Sequence, residues 1–310
     1  MNINKAAIDN SNFRKHIQFT NSAREAWELI LQTLEPFSNV LLPAYIGITD
    51  REGSGIYDSI IKNKIQHDFY LLNDDLSISI QKLESIFQQK SYKMILLVHY
   101  FGFKNQNIEE IVSLCKSKGI IVVEDCAHLY NYNNYDLSVA GTFGDFVFYS
   151  LHKFLPIKTG GILVQNNPSL VKPKKLSVDL KINYSFEIAS YDLRSIVAKR
   201  IANFNLMDSL INNINGVYCL KQLNTGDIPH NYPIIVENGL REKLYFWLID
   251  HGITLMALYY RLIDSIKIET YKSAHLISNS ILNLPIHQDI GVSEIKHIVK
   301  LIDKGIKELS

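Results

Sequence analysis

Two stretches decide the fold: Ile120-Ile-Val-Val-Glu-Asp-Cys-Ala-His128, and Gly141-Thr-Phe-Gly-Asp-Phe-Val-Phe-Tyr-Ser-Leu-His-Lys153, which leads on to Thr159-Gly-Gly-Ile-Leu-Val164. Both hold an apolar run too short for a helix and free of polar alternation, the pattern of a strand buried on both faces of a parallel sheet. Polar residues close each run. Glu124, Asp125 and His128 end the first, and Ser150, His152 and Lys153 end the second. In open α/β sheets ligands bind outside the carboxyl ends of the strands, so these groups collect where chemistry is done.

An Asp and a Lys meeting at such an edge fit a pyridoxal 5'-phosphate (PLP) site. That cofactor needs a lysine amine for covalent capture and proton transfer, and a carboxylate to keep the pyridine nitrogen protonated. Its phosphate needs hydroxyls and free backbone N–H groups, which a helix N-terminus supplies. Taken singly, an Asp that ends a strand is as well explained as a cap or ion-pair partner, and a Lys after a strand as a solvated surface residue.

The chain has 310 residues, 47% hydrophobic and 20% charged, enough to bury a large core and to form a large domain with a smaller one. The division expected is residues 1–220 for the large, cofactor-binding domain and 221–310 for the small one. With 32 basic against 31 acidic residues, no net field favours nucleic acid or an anionic membrane. Cys115, Cys126 and Cys219 are odd in number and lack metal-ligand spacing, so no metal is expected. No apolar run approaches the ~20 residues of a membrane span, and Met1-Asn-Ile-Asn-Lys5 is unlike a signal peptide, which makes the cytoplasm the expected compartment.

In chain order, Asn21 or Ser22 can cap a helix carrying Ala23, Ala26, Trp27, Ile30 and Leu31 on one face, with free N–H groups at Ser22, Ala23 and Arg24. Strands are predicted at 40–45, 67–72, 94–99 and 120–123, helices at 76–89 and 108–118, and a polar loop at 49–56 able to border a pocket. This β-α-β alternation implies right-handed crossovers and a mainly parallel sheet sandwiched by helices. Helices are predicted around 190–203 and 207–213. The smaller C-terminal α/β unit is predicted from strands at 232–236, 252–256 and 280–284 with helices at 239–250 and 293–308.

Several motifs, in order, resemble the DegT/DnrJ/EryC1/StrS family of PLP-dependent (fold type I) sugar aminotransferases. They are Leu42-Pro-Ala-Tyr45, His99-Tyr-Phe-Gly-Phe103, Val123-Glu-Asp-Cys-Ala-His128, Gly141-Thr-Phe-Gly-Asp-Phe146, Ser150-Leu-His-Lys-Phe-Leu155, Gly160-Gly161 and Leu284-Pro-Ile-His287. The resemblance covers residues 20–165 and 230–310. It implies that Lys153 is the Schiff-base lysine, Asp125 the partner of the pyridine nitrogen, and His128 a neighbour of the cofactor ring. It further implies that Ser150, Ser22 and Ala23 contact the phosphate. The implied substrates are glutamate and a nucleotide-linked keto-sugar, and the implied assembly is a homodimer. Lys158 is the competing lysine, but Lys153-Phe-Leu155 matches the family's Lys-Asn-Leu better.

The sequence departs from the family in three places. Gly47 stands where family members carry an aromatic over the cofactor. The Asn-Tyr-Arg stretch that reaches a neighbouring subunit's phosphate has only Lys181-Ile-Asn-Tyr184 as a poor counterpart, and the spacing from Ser150 to Lys153 is shorter by two residues. Two other readings follow: a PLP-dependent sugar dehydratase with His152 in the lysine's place, and a cofactor-free regulatory or scaffolding subunit. His99 and His287 are read as structural, and Tyr45 and Tyr100 as boundary aromatics rather than ring contacts.

Overall fold

A computed structural model describes residues 16–130, 140–175, 184, 187–256 and 258–310. Strand β1 (Ile17–Thr20) leads into helix α1 (Ala23–Leu31), followed by β2 (Asn39–Pro43), α2 (Tyr57–Lys62), β3 (Gln66–Tyr70), α3 (Ile80–Gln89), β4 (Met94–Val98), α4 (Ile108–Ser117), β5 (Ile121–Cys126), β6 (Phe146–Ser150) and β7 (Gly161–Gln165). These strands form one seven-stranded sheet in the order β1-β7-β6-β5-β4-β2-β3. The five central and distal strands from β6 to β3 pair in parallel, while β7 lies antiparallel to both β6 and β1. Every residue of β4, β6 and β7 is buried, as strands covered on both faces require.

Helix α1 packs across the β6–β7 end of this sheet. Ser22 caps it, its Oγ accepting the Glu25 N–H at 3.1 Å, and the Glu25 carboxylate in turn accepts the Asn21 N–H at 2.6 Å, a reciprocal cap. Trp27 is fully buried under the helix, with its indole N–H donating to the Ile56 carbonyl at 3.2 Å. Truncating such a residue to Ala costs about 3–5 kcal/mol.

The C-terminal part holds α5 (Leu193–Ile211), β8 (Val217–Cys219), β9 (Tyr232–Val236), α6 (Arg241–Asp250), α7 (Lys272–Ser280), β10 (Ile281–Leu284) and α8 (Val292–Leu309). Its sheet is antiparallel, ordered β10-β9-β8, and takes in residues 217–219 from before the boundary expected at 220.

Three local expectations are corrected. The two helices predicted at 190–203 and 207–213 are one, Leu193–Ile211, because polar Asn203 sits on its buried face, where Nδ2 donates to the Ile286, His287 and Ile290 carbonyls. The strand predicted at 252–256 is irregular chain with a single bridge between Met256 and Asn283. The helix predicted from 76 starts at Ile80, after a turn in which Leu76 adopts a φ of 62° and Ser79 caps the helix. Helices α2 and α7 are additional.

Candidate active site

The carboxyl ends of β5 and β6 meet the N-terminus of α1 around a cavity of about 740 Å³. Ser22, Ala23, Asp125, His128, Ser150 and Lys153 all line it, together with the 46–56 loop, Lys158 and Tyr259. The six residues singled out by sequence therefore converge, although their order in the chain spreads them over more than a hundred positions.

Asp125 is the penultimate residue of β5 and is 7% exposed. Its Oδ1 accepts the Ala127 N–H at 2.8 Å, and among the described residues its second oxygen has no hydrogen-bond partner. Burial raises its pKa, against the pull of that N–H, the Lys153 charge and His99. A cation placed at the open oxygen would relieve this burial cost. Lys153 lies in the turn after β6 and is half-buried. Its side chain makes no hydrogen bond among the described residues, and burial lowers its pKa while Asp125 and Glu52 oppose the shift. A buried amine that sheds its proton more readily is the better nucleophile. Lys158, by contrast, is exposed.

His128 is 4% exposed. Its Nδ1 accepts the Phe101 N–H at 3.1 Å, and its ring stacks with those of Phe101 and His230 at centroid distances of 6.0 and 5.1 Å. Burial, then the charge of Lys153 and neighbouring His230, depress its pKa well below the usual value. Ser150 is buried, with Oγ 3.3 Å from Nδ1 of the exposed His152.

Gly161 lets β7 touch the start of α1: a Cβ there would lie 2.4 Å from the Ser22 carbonyl carbon and 2.5 Å from the Thr20 hydroxyl oxygen. This contact sets the first turn of α1, with its free N–H groups, against the cavity.

Where His99 lines the cavity, His99 and Glu124 are fully buried and 2.9 Å apart. Because His99 Nδ1 accepts the Asn105 N–H at 3.2 Å, its proton resides on Nε2 and is donated to Glu124. The Glu124 carboxylate also accepts N–H groups from Gly141, Phe143 and Gly144 at 2.7, 2.9 and 2.6 Å. His99, Glu124 and Cys126 come within 4.8 Å of one another, but both histidine nitrogens and both carboxylate oxygens are already engaged, so the group is a hydrogen-bonded support. Tyr45 and Tyr100 are buried core residues, and Tyr100 donates to the Tyr45 carbonyl at 2.6 Å.

A second cavity of about 750 Å³ shares His152 and Lys153 with the first and extends between the two units to Arg200, Asn283 and His287. Sequence reasoning missed Tyr259, His230 and Arg200. Of the Lys181-Ile-Asn-Tyr184 stretch, residues 181–183 lie outside the described residues; Tyr184 packs on Phe19 at 6.0 Å. Among the described residues, no helix is long and apolar enough to cross a membrane.

A parallel-centred sheet sandwiched by helices, with a smaller C-terminal α/β unit, is the fold type I arrangement, which solved aminotransferases share. Residues 71–177 match the DegT/DnrJ/EryC1/StrS aminotransferase family, the same family that the sequence motifs resemble. The chain is 33% identical over 100 residues to GDP-perosamine synthase of Escherichia coli O157:H7, a match spanning 32% of this chain and 27% of that relative. Among solved structures, the aminotransferase TlmJ from Streptoalloteichus hindustanus superposes with a TM-score of 0.75 at 18% identity, covering 95% of this chain and 86% of that one. A Streptococcus pneumoniae protein solved in its PLP form gives a TM-score of 0.75 at 17% identity, covering 96% and 88%. At these identities the structural likeness speaks for the fold.

Proposed function

We propose that the chain is a PLP-dependent aminotransferase that aminates a keto-sugar carried on a nucleotide, in polysaccharide or secondary-metabolite biosynthesis, with glutamate as donor. The observation that carries this reading is the convergence of Asp125, with one carboxylate oxygen unpaired among the described residues, and Lys153, whose amine is likewise unpaired among them, on one cavity at the carboxyl edge of the sheet. The family match of residues 71–177 supports the cofactor and the reaction class, and the perosamine synthase relative supports a nucleotide-linked sugar.

The residues fit the cofactor. Asp125 would hold the pyridine nitrogen, Ser22, Ala23 and Ser150 the phosphate, and His128 the ring's surroundings. Lys153 would capture the aldehyde. When bound, PLP supplies an electron sink for the carbanion formed as a Cα proton leaves.

The chain's own groups do the rest. Lys153 is the base that takes and returns a proton at its Nζ, a task its lowered pKa suits. Asp125 anchors, and the buried His128 stays neutral and adds no charge beside the ring. A cytoplasmic homodimer with residues 1–220 and 221–310 as its two domains is part of this reading.

Purified protein given PLP, as wild type and Lys153→Ala, tests it. A visible band in wild type that is absent in the variant and bleached by glutamate is expected. No band in wild type would refute the reading. A band surviving Lys153→Ala would move the lysine's role to Lys158.

A further inference from the structure

Tyr259 reaches the cavity from the C-terminal unit, which among the described residues otherwise supplies only Leu258 to that wall. It does so from a strained backbone: its φ is 60°, the left-handed region that bulky side chains avoid. Such a conformation persists only where the surroundings enforce it, and here they do. The residues that follow it form a strap across the 46–48 segment, with the Ile48 N–H donating to the Arg261 carbonyl and the Ile263 N–H to the Ile46 carbonyl, both at 3.0 Å. Ser278 Oγ donates to the Tyr259 carbonyl itself at 2.7 Å.

The ring is directed over Gly47. A Cβ at position 47 would lie 3.0 Å from Tyr259 Cδ1 and 3.3 Å from its Cα, so a larger side chain at 47 and the Tyr259 ring compete for the same space. Gly47 has no positive φ that would call for glycine on backbone grounds. From that seat Tyr259 stacks on Tyr45 at 5.0 Å and meets Tyr100, Phe101 and His128 edge-on at 5.5, 5.8 and 6.0 Å. Phe101 is itself at a φ of 58°, so two of the aromatics meeting at this wall sit on backbones held out of their ordinary range. Asp125 lies close enough for its charge to add to burial in keeping the Tyr259 hydroxyl protonated.

We propose that Tyr259 is the aromatic side chain that packs against the cofactor's pyridine ring, and that Gly47 is small in order to admit it. The inference rests on the PLP reading above. It makes the C-terminal unit part of the cofactor site.

The test titrates folded apo-protein with PLP, following the visible band and the induced circular dichroism of the bound chromophore, with far-UV circular dichroism and the apo melting temperature as fold controls. Tyr259→Phe should bind within a few-fold of wild type. Tyr259→Leu and Gly47→Val should each weaken binding about tenfold and reduce the induced dichroism, the first by removing the ring and the second by displacing it. Gly47→Tyr combined with Tyr259→Ala should recover much of the loss, because it returns an aromatic to the same space. Wild-type affinity and dichroism in a folded Tyr259→Leu variant would overturn the inference and leave the PLP reading standing. A wild type that binds no PLP would overturn both.

Discussion

The Phe101 backbone N–H donates to Nδ1 of His128 at 3.1 Å, which places the proton of the neutral imidazole on Nε2. His230, stacked on the His128 ring, is likewise held well below its usual pKa, by burial first and then by Arg200 and Lys153. Both histidines fold neutral and would be charged in the unfolded chain at low pH. The folded state therefore binds fewer protons below the unfolded pKa of about 6.5, and stability falls as pH drops from there towards the folded values. The melting temperature of wild type should decline between pH 7.5 and 5.5, and His128→Gln should show a shallower decline. Parallel profiles would show that His128 does not carry the effect.

Glu124 accepts four hydrogen bonds, and Gln in its place would turn an NH₂ group towards some of the same donors. Glu124→Gln should lose about 3 kcal/mol in urea unfolding, in the range for breaking a buried charge network. Amides of Gly141, Phe143 and Gly144 should exchange faster with deuterium. A loss under about 1 kcal/mol would show that the support is dispensable.

Gly161 and Gly55 make a contrasting pair. A methyl at 161 meets Ser22 backbone at 2.4 Å, whereas one at 55 meets nothing within 4 Å. Gly161→Ala should cost about 1–3 kcal/mol by forcing β7 from α1, and Gly55→Ala should be near neutral. Equal melting temperatures for the two variants would contradict the packing described.

Arg200 is 3% exposed and donates to the His230 and Phe154 carbonyls at 3.0 and 3.2 Å and to Gln288 at 3.3 Å, with its guanidinium 4.4 Å from the Phe154 ring centre. Arg200→Met keeps the bulk and leaves both carbonyls without this donor. It should lower stability by about 2–4 kcal/mol, measured by urea unfolding. Because Phe154 adjoins Lys153, the proposed PLP capture by Lys153 should also slow. Arg200→Lys, lacking the fork, should recover little.

The parts legible in sequence are those with short-range causes. The runs ending at Asp125 and Ser150 are apolar throughout because both faces are covered, and Ser22 declares its helix through a cap three residues from Glu25. Their convergence followed from a rule about strand ends. Tyr259 was not legible, since it lies in irregular chain whose shape is set by hydrogen bonds to residues 46–48, more than two hundred positions away. The single helix 193–211 was hidden for the opposite reason: Asn203 reads as a break but is buried against distant carbonyls.

Strand β1, the first of the described strands, finds its partner among the described residues in β7, where Ile17 faces Val164 and Thr20 faces Gly161. During synthesis β1 must wait for β7 to emerge before it can dock. Until then β7 presents an open edge, a template for pairing with another chain. The long closure makes this a slow, late event in folding. A chain interrupted between β1 and β7 would lose the edge cover and the first turn of α1 together, so aggregation and failure to form the cavity should share one cause.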